Sequence, residues 1–211
     1  TVISKQNVFL QEKTQKQQKQ IVITRDIDVL TTHLTRLSTQ EKMGVIIVDQ
    51  QPDLFGATMA AVALGDHQFV VVISHPEEKH LKVIEQFLVE LNKEVLIVTH
   101  DLKTLCHHHD WFAQYASSGS VHFFDTMLAS YVVNSSQHSH DLITVANTQL
   151  HLKLHELPTA YLSQKEYEYL GEVISLLPSI AETLMDALKK TQVVSVYEEI
   201  ELPLVPVLYR M

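Results

Sequence analysis

The sequence predicts an α/β domain, a mixed sheet flanked by helices. Three observations carry this reading. Short uninterrupted apolar runs such as Val45-Ile46-Ile47-Val48 and Val95-Leu96-Ile97-Val98 have the length of strands buried on both faces. The segments between and after them carry apolar residues at helical spacing. A chain of 211 residues with 45% apolar content also has enough material for one buried core of ordinary size.

The elements follow in order. Ser4 to Gln20 is rich in Gln and Lys, with apolar residues only at Val8, Phe9 and Leu10, so residues 1–20 read as a solvated arm or linker. Ile21-Val22-Ile23 is a short β-branched run, and Asp26 can cap a helix bearing Val29, Leu30, Leu34 and Leu37. Val45–Val48 reads as a central strand ending in Asp49, followed by the turn-prone Gln50-Gln51-Pro52-Asp53. Ala57 to Leu64 and Phe69 to Ile73 read as a hairpin joined by Gly65-Asp66-His67-Gln68. A helix from about Glu77 to Leu91 presents Leu81, Ile84, Phe87, Leu88 and Leu91 on one face. Val95–Val98 is the next strand, Asp101 to Ala113 is read as one helix, Val121–Phe124 as the last strand, and the chain beyond Asp125 as mostly helix. Ligand chemistry in such sheets gathers beyond the ends of central strands, which singles out Asp49; the plain alternative is a residue that merely starts a turn.

Composition excludes several classes. Sixteen Lys+Arg against 25 Asp+Glu leave a net charge of −9, which argues against non-specific coating of DNA. A local basic patch would have to come from Lys103, Lys189, Lys190 and Arg210, with Trp111 and Tyr115 as stacking rings. Those two rings stand four apart and read first as a packed helix face. The single Cys106 allows no internal disulfide, and a cytoplasmic location is expected. No apolar run approaches the ~20 residues of a membrane span. Cys106-His107-His108-His109-Asp110 has zinc-ligand chemistry, with His122, His138 and His140 as distant contributors. Consecutive helical residues point about 100° apart, so only a subset could share one ion, and solvated or packed histidines are expected instead. Because the sequence opens on Thr1 and closes within an amphipathic pattern over Glu198 to Met211, it is expected to be a piece of a longer protein.

Two stretches resemble a known family. Phe124-Asp125-Thr126-Met127-Leu128-Ala129-Ser130-Tyr131-Val132-Val133-Asn134 resembles the segment after the last strand of the 3′–5′ exonuclease (proofreading) domain of bacterial DNA polymerase I. Tyr197-Glu198-Glu199-Ile200-Glu201-Leu202-Pro203-Leu204-Val205-Pro206-Val207-Leu208 resembles the junction of that domain with the polymerase domain. The resemblance implies a ribonuclease H-like mixed sheet flanked by helices, with the exonuclease-like domain at 21–192 and the connection to a polymerase domain starting at 193–211. Members of this superfamily hydrolyse DNA from the 3′ end with two divalent metals held by four acidic residues from three motifs.

This sequence departs from those motifs. Asp-x-Glu reads Asp49-Gln50-Gln51, keeping the first carboxylate and replacing the second by an amide. In Asn-x-x-x-Tyr/Phe-Asp the match is Asp101-Leu102-Lys103-Thr104-Leu105, so Leu105 occupies the ligand position. For Tyr-x-x-x-Asp, none of Tyr161, Tyr167 and Tyr169 has an acid four residues on, and aligning the helix around Ala181 puts Ser179 at the ligand position beside Pro178. With Asp49 alone retained, two metals would keep most of their mutual repulsion. The expectation is a degenerate domain without metal cofactor or nuclease activity, kept as a platform for the covalently linked polymerase domain, touching DNA weakly if at all and no membrane. Leu202, Leu204, Val205 and Leu208 would form the surface that meets this partner. The enzymatic alternative has Mg²⁺ or Mn²⁺ bound by displaced ligands at Asp53, Asp101 and Glu172, Asp101 sharing a helix face with Leu105. A third reading is a module that grips a single-stranded 3′ end without cutting it.

Overall fold

The computed structural model describes residues 19–49, 59–91, 94–156 and 162–211, with Asp49 described through its backbone alone. The elements in chain order are β1 (Gln20–Thr24), α1 (Ile27–Leu37), β2 (Lys42–Asp49), β3 (Met59–Gly65), β4 (Phe69–Ser74), α2 (Glu78–Glu90), β5 (Leu96–Thr99), α3 (Leu102–His108), α4 (Asp110–Ser118), β6 (His122–Asp125), α5 (Thr126–Val133), α6 (Leu142–Leu150), α7 (Gln164–Ile174) and α8 (Leu177–Lys190). A π-helical turn (Val196–Glu201) then runs into α9 (Leu202–Tyr209).

The strands form one sheet in the order β1-β4-β3-β2-β5-β6. β2, β3 and β4 are an antiparallel meander, while β1 lies parallel to β4, β5 to β2 and β6 to β5. The continuous apolar runs are explained by helices on both faces. Phe69, Val71 and Ile73 join Leu30 and Leu34 of α1, Ile84 of α2 and Phe112 of α4 in one cluster. Val70 and Val72 join Val173 and Ile174 of α7 and Leu184 of α8 in the other. Alternation survives inside the runs as a choice of cluster, with both choices dry.

Turn chemistry closes the elements. Asp26 accepts from the Asp28 and Val29 N–H groups and starts α1. The Asp66 carboxylate accepts from the Gln68 and Phe69 N–H groups, at 2.7 Å each, and closes the β3–β4 hairpin. At Gly65 a Cβ would come within 2.6 Å of the Phe69 carbonyl oxygen, so only glycine fits.

Three expectations are revised. The single helix over Asp101 to Ala113 is two helices broken at His109, whose φ of −149° is extended. Asp101 itself stands outside α3 as its N-cap in the left-handed region (φ 64°), a conformation that Asp tolerates. Pro178 sits at the start of α8, where its missing N–H removes no helical bond, rather than in a helix interior. Within residues 193–211, Tyr197 and Val205 are buried core residues. The arm at 1–18, the start of the hairpin at Ala57, and Gln51, Asp53 and Tyr161 lie outside the described residues.

Candidate functional site

Asp49 ends β2 beyond an irregularity between Val48 and Asp49, with Met59 as its partner on β3. The next stretch of sheet end is built by β5 and β6, whose last residues Thr99 and Asp125 are paired. Just past them Asp101 caps α3, its carboxylate accepting from the Thr104 N–H at 3.1 Å and the Thr104 hydroxyl at 2.6 Å. Leu105, one turn further, is 3% exposed and belongs to the core with Leu102 and Cys106. It supplies packing and no ligand atom. Burial pushes the Cys106 thiol up to about 11, so it is a protonated core residue.

The other two candidate positions lie elsewhere. Gly44, towards the opposite end of β2, abuts Leu177 and the Ile174 carbonyl. Five residues of strand, about 17 Å, separate it from Asp49. Ser179 belongs to that far end, its Oγ 3.4 Å from His67 Nδ1 in the β3–β4 turn. Glu172 is exposed near the C-terminal end of α7, two residues before Ile174. The structure thus brings neither Ser179 nor Glu172 to the end of β2 that carries Asp49. The residue it brings there is Tyr167 in the first half of α7, whose hydroxyl lies 3.4 Å from the Ala60 carbonyl, next to Met59. Four residues on stands Gly171, where a Cβ would come within 2.5 Å of the Ile21 side chain.

A buried polar group holds this end together. Asp125 is 2% exposed and its carboxylate accepts four backbone N–H bonds: Asp101 and Leu102 at the start of α3, Met127 and Leu128 at the start of α5. Burial pushes its carboxyl above the usual range, and the N–H donors at two helix N-termini pull against that shift. Beside it the Thr126 hydroxyl donates to the Thr99 carbonyl, so the His100 Nδ1–H donates to Thr126 Oγ1 at 2.9 Å. Burial holds His100 down at about 4. Sequence reasoning missed Asp125 and His100 as a site; the signal was a strand-ending Asp followed by Thr-Met-Leu, a helix cap in pattern.

Hard divalent ions of the kind the resemblance implies need several converging oxygens. Each Asp101 oxygen accepts one bond from Thr104, the buried Asp125 carboxylate accepts four backbone N–H bonds, and Leu105 offers no oxygen. Among the described residues no three of His, Cys, Asp or Glu stand close enough to hold an ion. The zinc pattern disperses as well: Cys106 is buried in the core, the His107 ring meets Tyr209 at 5.1 Å, and His109 stacks on Trp111 at 6.0 Å. Trp111 and Tyr115 pack on each other and on the core, 5.7 Å apart.

The sequence matches no protein-family model and no curated protein. Its fold is similar to that of Brucella melitensis NrnC with bound Mg²⁺, at TM-score 0.60 and 13% identity over 90% of either chain. It is similar to the catalytic core of RRP6 from Trypanosoma brucei, at TM-score 0.67 and 10% identity over 90% of this chain and 52% of that one. It is also similar to the POL domain of Pol1 from M. smegmatis in complex with DNA primer-template and dNTP, at TM-score 0.64 and 20% identity over 90% of this chain and 31% of that one. These likenesses show a shared fold, a mixed α/β sheet flanked by helices.

Proposed function

We propose that this chain is a catalytically silent 3′–5′ exonuclease-like domain of a DNA polymerase I, retained as a platform for a covalently linked polymerase domain. The observation that carries the reading is Leu105, a buried core residue at the place where the resembled second motif presents its acid. Gly171 supports it: one helical turn past Tyr167, it is pressed against Ile21, so an acid side chain there would collide with β1. What supports a segment of a polymerase is the resemblance of residues 197–208 to the junction of such a domain with its polymerase domain. The domain would need no metal cofactor and would work in the cytoplasm. Its exposed Ile200, Leu204, Val207 and Leu208 would be the surface covered by the polymerase domain. No helix among the described residues is long and apolar enough to cross a membrane.

The test is shortening of a 3′-mismatched, 5′-labelled primer in Mg²⁺ and then Mn²⁺, with Asp49→Ala as control. No shortening in either metal is the expected outcome. Shortening that vanishes in Asp49→Ala would select displaced ligands at Asp53 and Asp101. Salt-dependent binding of the oligonucleotide without product would select the non-cutting grip.

A further inference from the structure

β6 is an edge strand, with β5 on one side and no strand on the other among the described residues. Within a strand the N–H and C=O of one residue point to the same side, so a residue facing the free edge leaves both unpaired unless something stands in for the missing neighbour. At Asp125 that stand-in is one side chain. The Asp125 N–H donates to the Tyr197 hydroxyl at 2.8 Å, and this hydroxyl lies 3.4 Å from the Asp125 carbonyl oxygen, to which it donates. Tyr197 is 1% exposed and its ring lies 5.2 Å from that of Phe124. It sits in the π-helical turn, a form that is rare and recurs at functional positions.

The same Asp125 seats two helices through its carboxylate, α3 by the Asp101 and Leu102 N–H groups and α5 by the Met127 and Leu128 N–H groups. We propose that Tyr197 and Asp125 form a latch: by closing the free edge of β6, the Tyr197 hydroxyl ties the position of the C-terminal helical segment to the N-terminal turns of α3 and α5. The other side of that segment is exposed, with Ile200 and Val207 each 53% accessible. A protein that engages this outer face therefore acts, through this hydroxyl beside the direct packing of α9 on α3 and α4, on the end of the sheet that carries Asp101 and Leu105. The latch does not depend on whether the domain cuts DNA.

Amide hydrogen exchange by NMR on the whole chain tests it, comparing the parent with Tyr197→Phe, which keeps the ring, and with Tyr209→Phe, which removes the hydroxyl that bonds Asp110 in the same segment. The latch predicts about five- to tenfold faster exchange at Asp101, Leu102, Met127 and Leu128 in Tyr197→Phe, the factor expected for one ordinary hydrogen bond. Core amides at Val62 and Val71 keep their rates, and Tyr209→Phe leaves all of them unchanged. Unchanged exchange at the α3 and α5 amides overturns the proposal. So does equal acceleration everywhere including Val62 and Val71, which would mean only a loss of global stability. As coupling is reciprocal, Asp125→Asn must speed exchange within Val196–Glu201, and unaltered rates there also overturn it.

Discussion

His100 is a histidine whose surroundings favour its neutral form. It is hydrogen-bonded to Thr126, faces Asp101 on its own segment and Asp141 and His140 across the gap, and burial outweighs both carboxylates, holding it at about 4 against the ordinary 6.5. The folded chain therefore takes up this proton less readily than the unfolded chain. Stability from this group is complete above 6.5, declines as pH falls, and is lost below about 4. The separation of the two values corresponds to about 3 kcal/mol. His100→Gln keeps an N–H for Thr126 and cannot titrate. The stability advantage of the parent over His100→Gln should therefore shrink by roughly that amount between neutral pH and about pH 4, as read from urea midpoints along a pH series. A difference that stays constant with pH would show that the ring is solvated in the folded state.

At the scale of elements, α7 illustrates how closely a helix can approach the sheet. A glycine to alanine change inside a helix normally stabilises by up to about 1 kcal/mol. Here the new Cβ would lie 2.5 Å from Ile21 Cγ2, and β1 would have to give way. Gly171→Ala should destabilise by about 1–3 kcal/mol, and adding Ile21→Ala should recover part of the loss, a non-additivity visible in thermal midpoints. Simple additivity would refute the contact. The strands and helices around it show what could be read without coordinates. The runs at Val45–Val48, Phe69–Ile73 and Val95–Val98 announced buried strands because a helix on each face leaves no polar position in them. The break at His109 was hidden, since Cys106 to Trp111 holds neither proline nor glycine and its helical pattern runs on. The placement of Ser179 failed for another reason: spacing along a helix says nothing about which end of the sheet the helix has reached. Pro178 marks the beginning of α8. Asp49 was expected to end the Val45–Val48 strand, and it is the last residue of β2.

At the scale of the whole molecule, net charge and the C-terminal apolar face act against each other. A charge of −9 keeps copies apart at low salt, and screening shortens that repulsion as salt rises. Ile200, Leu204, Val207 and Leu208 offer an exposed apolar stripe, bordered by the carboxylates Glu198 and Glu199. With nothing covering the stripe, the average mass of this chain in light scattering should grow with both protein concentration and salt. Ile200→Lys with Leu208→Lys interrupts the stripe at positions 53% and 47% exposed, so folding loses little, within about 0.5 kcal/mol per site. Lys at 200 also enters between Glu199 and Glu201 and relieves their repulsion. The doubly substituted chain should stay monomeric at every salt concentration while melting at nearly the parent temperature. Equal association of the two chains would assign self-association to another surface, and a large drop in melting temperature would mean that these two side chains support the fold rather than a partner.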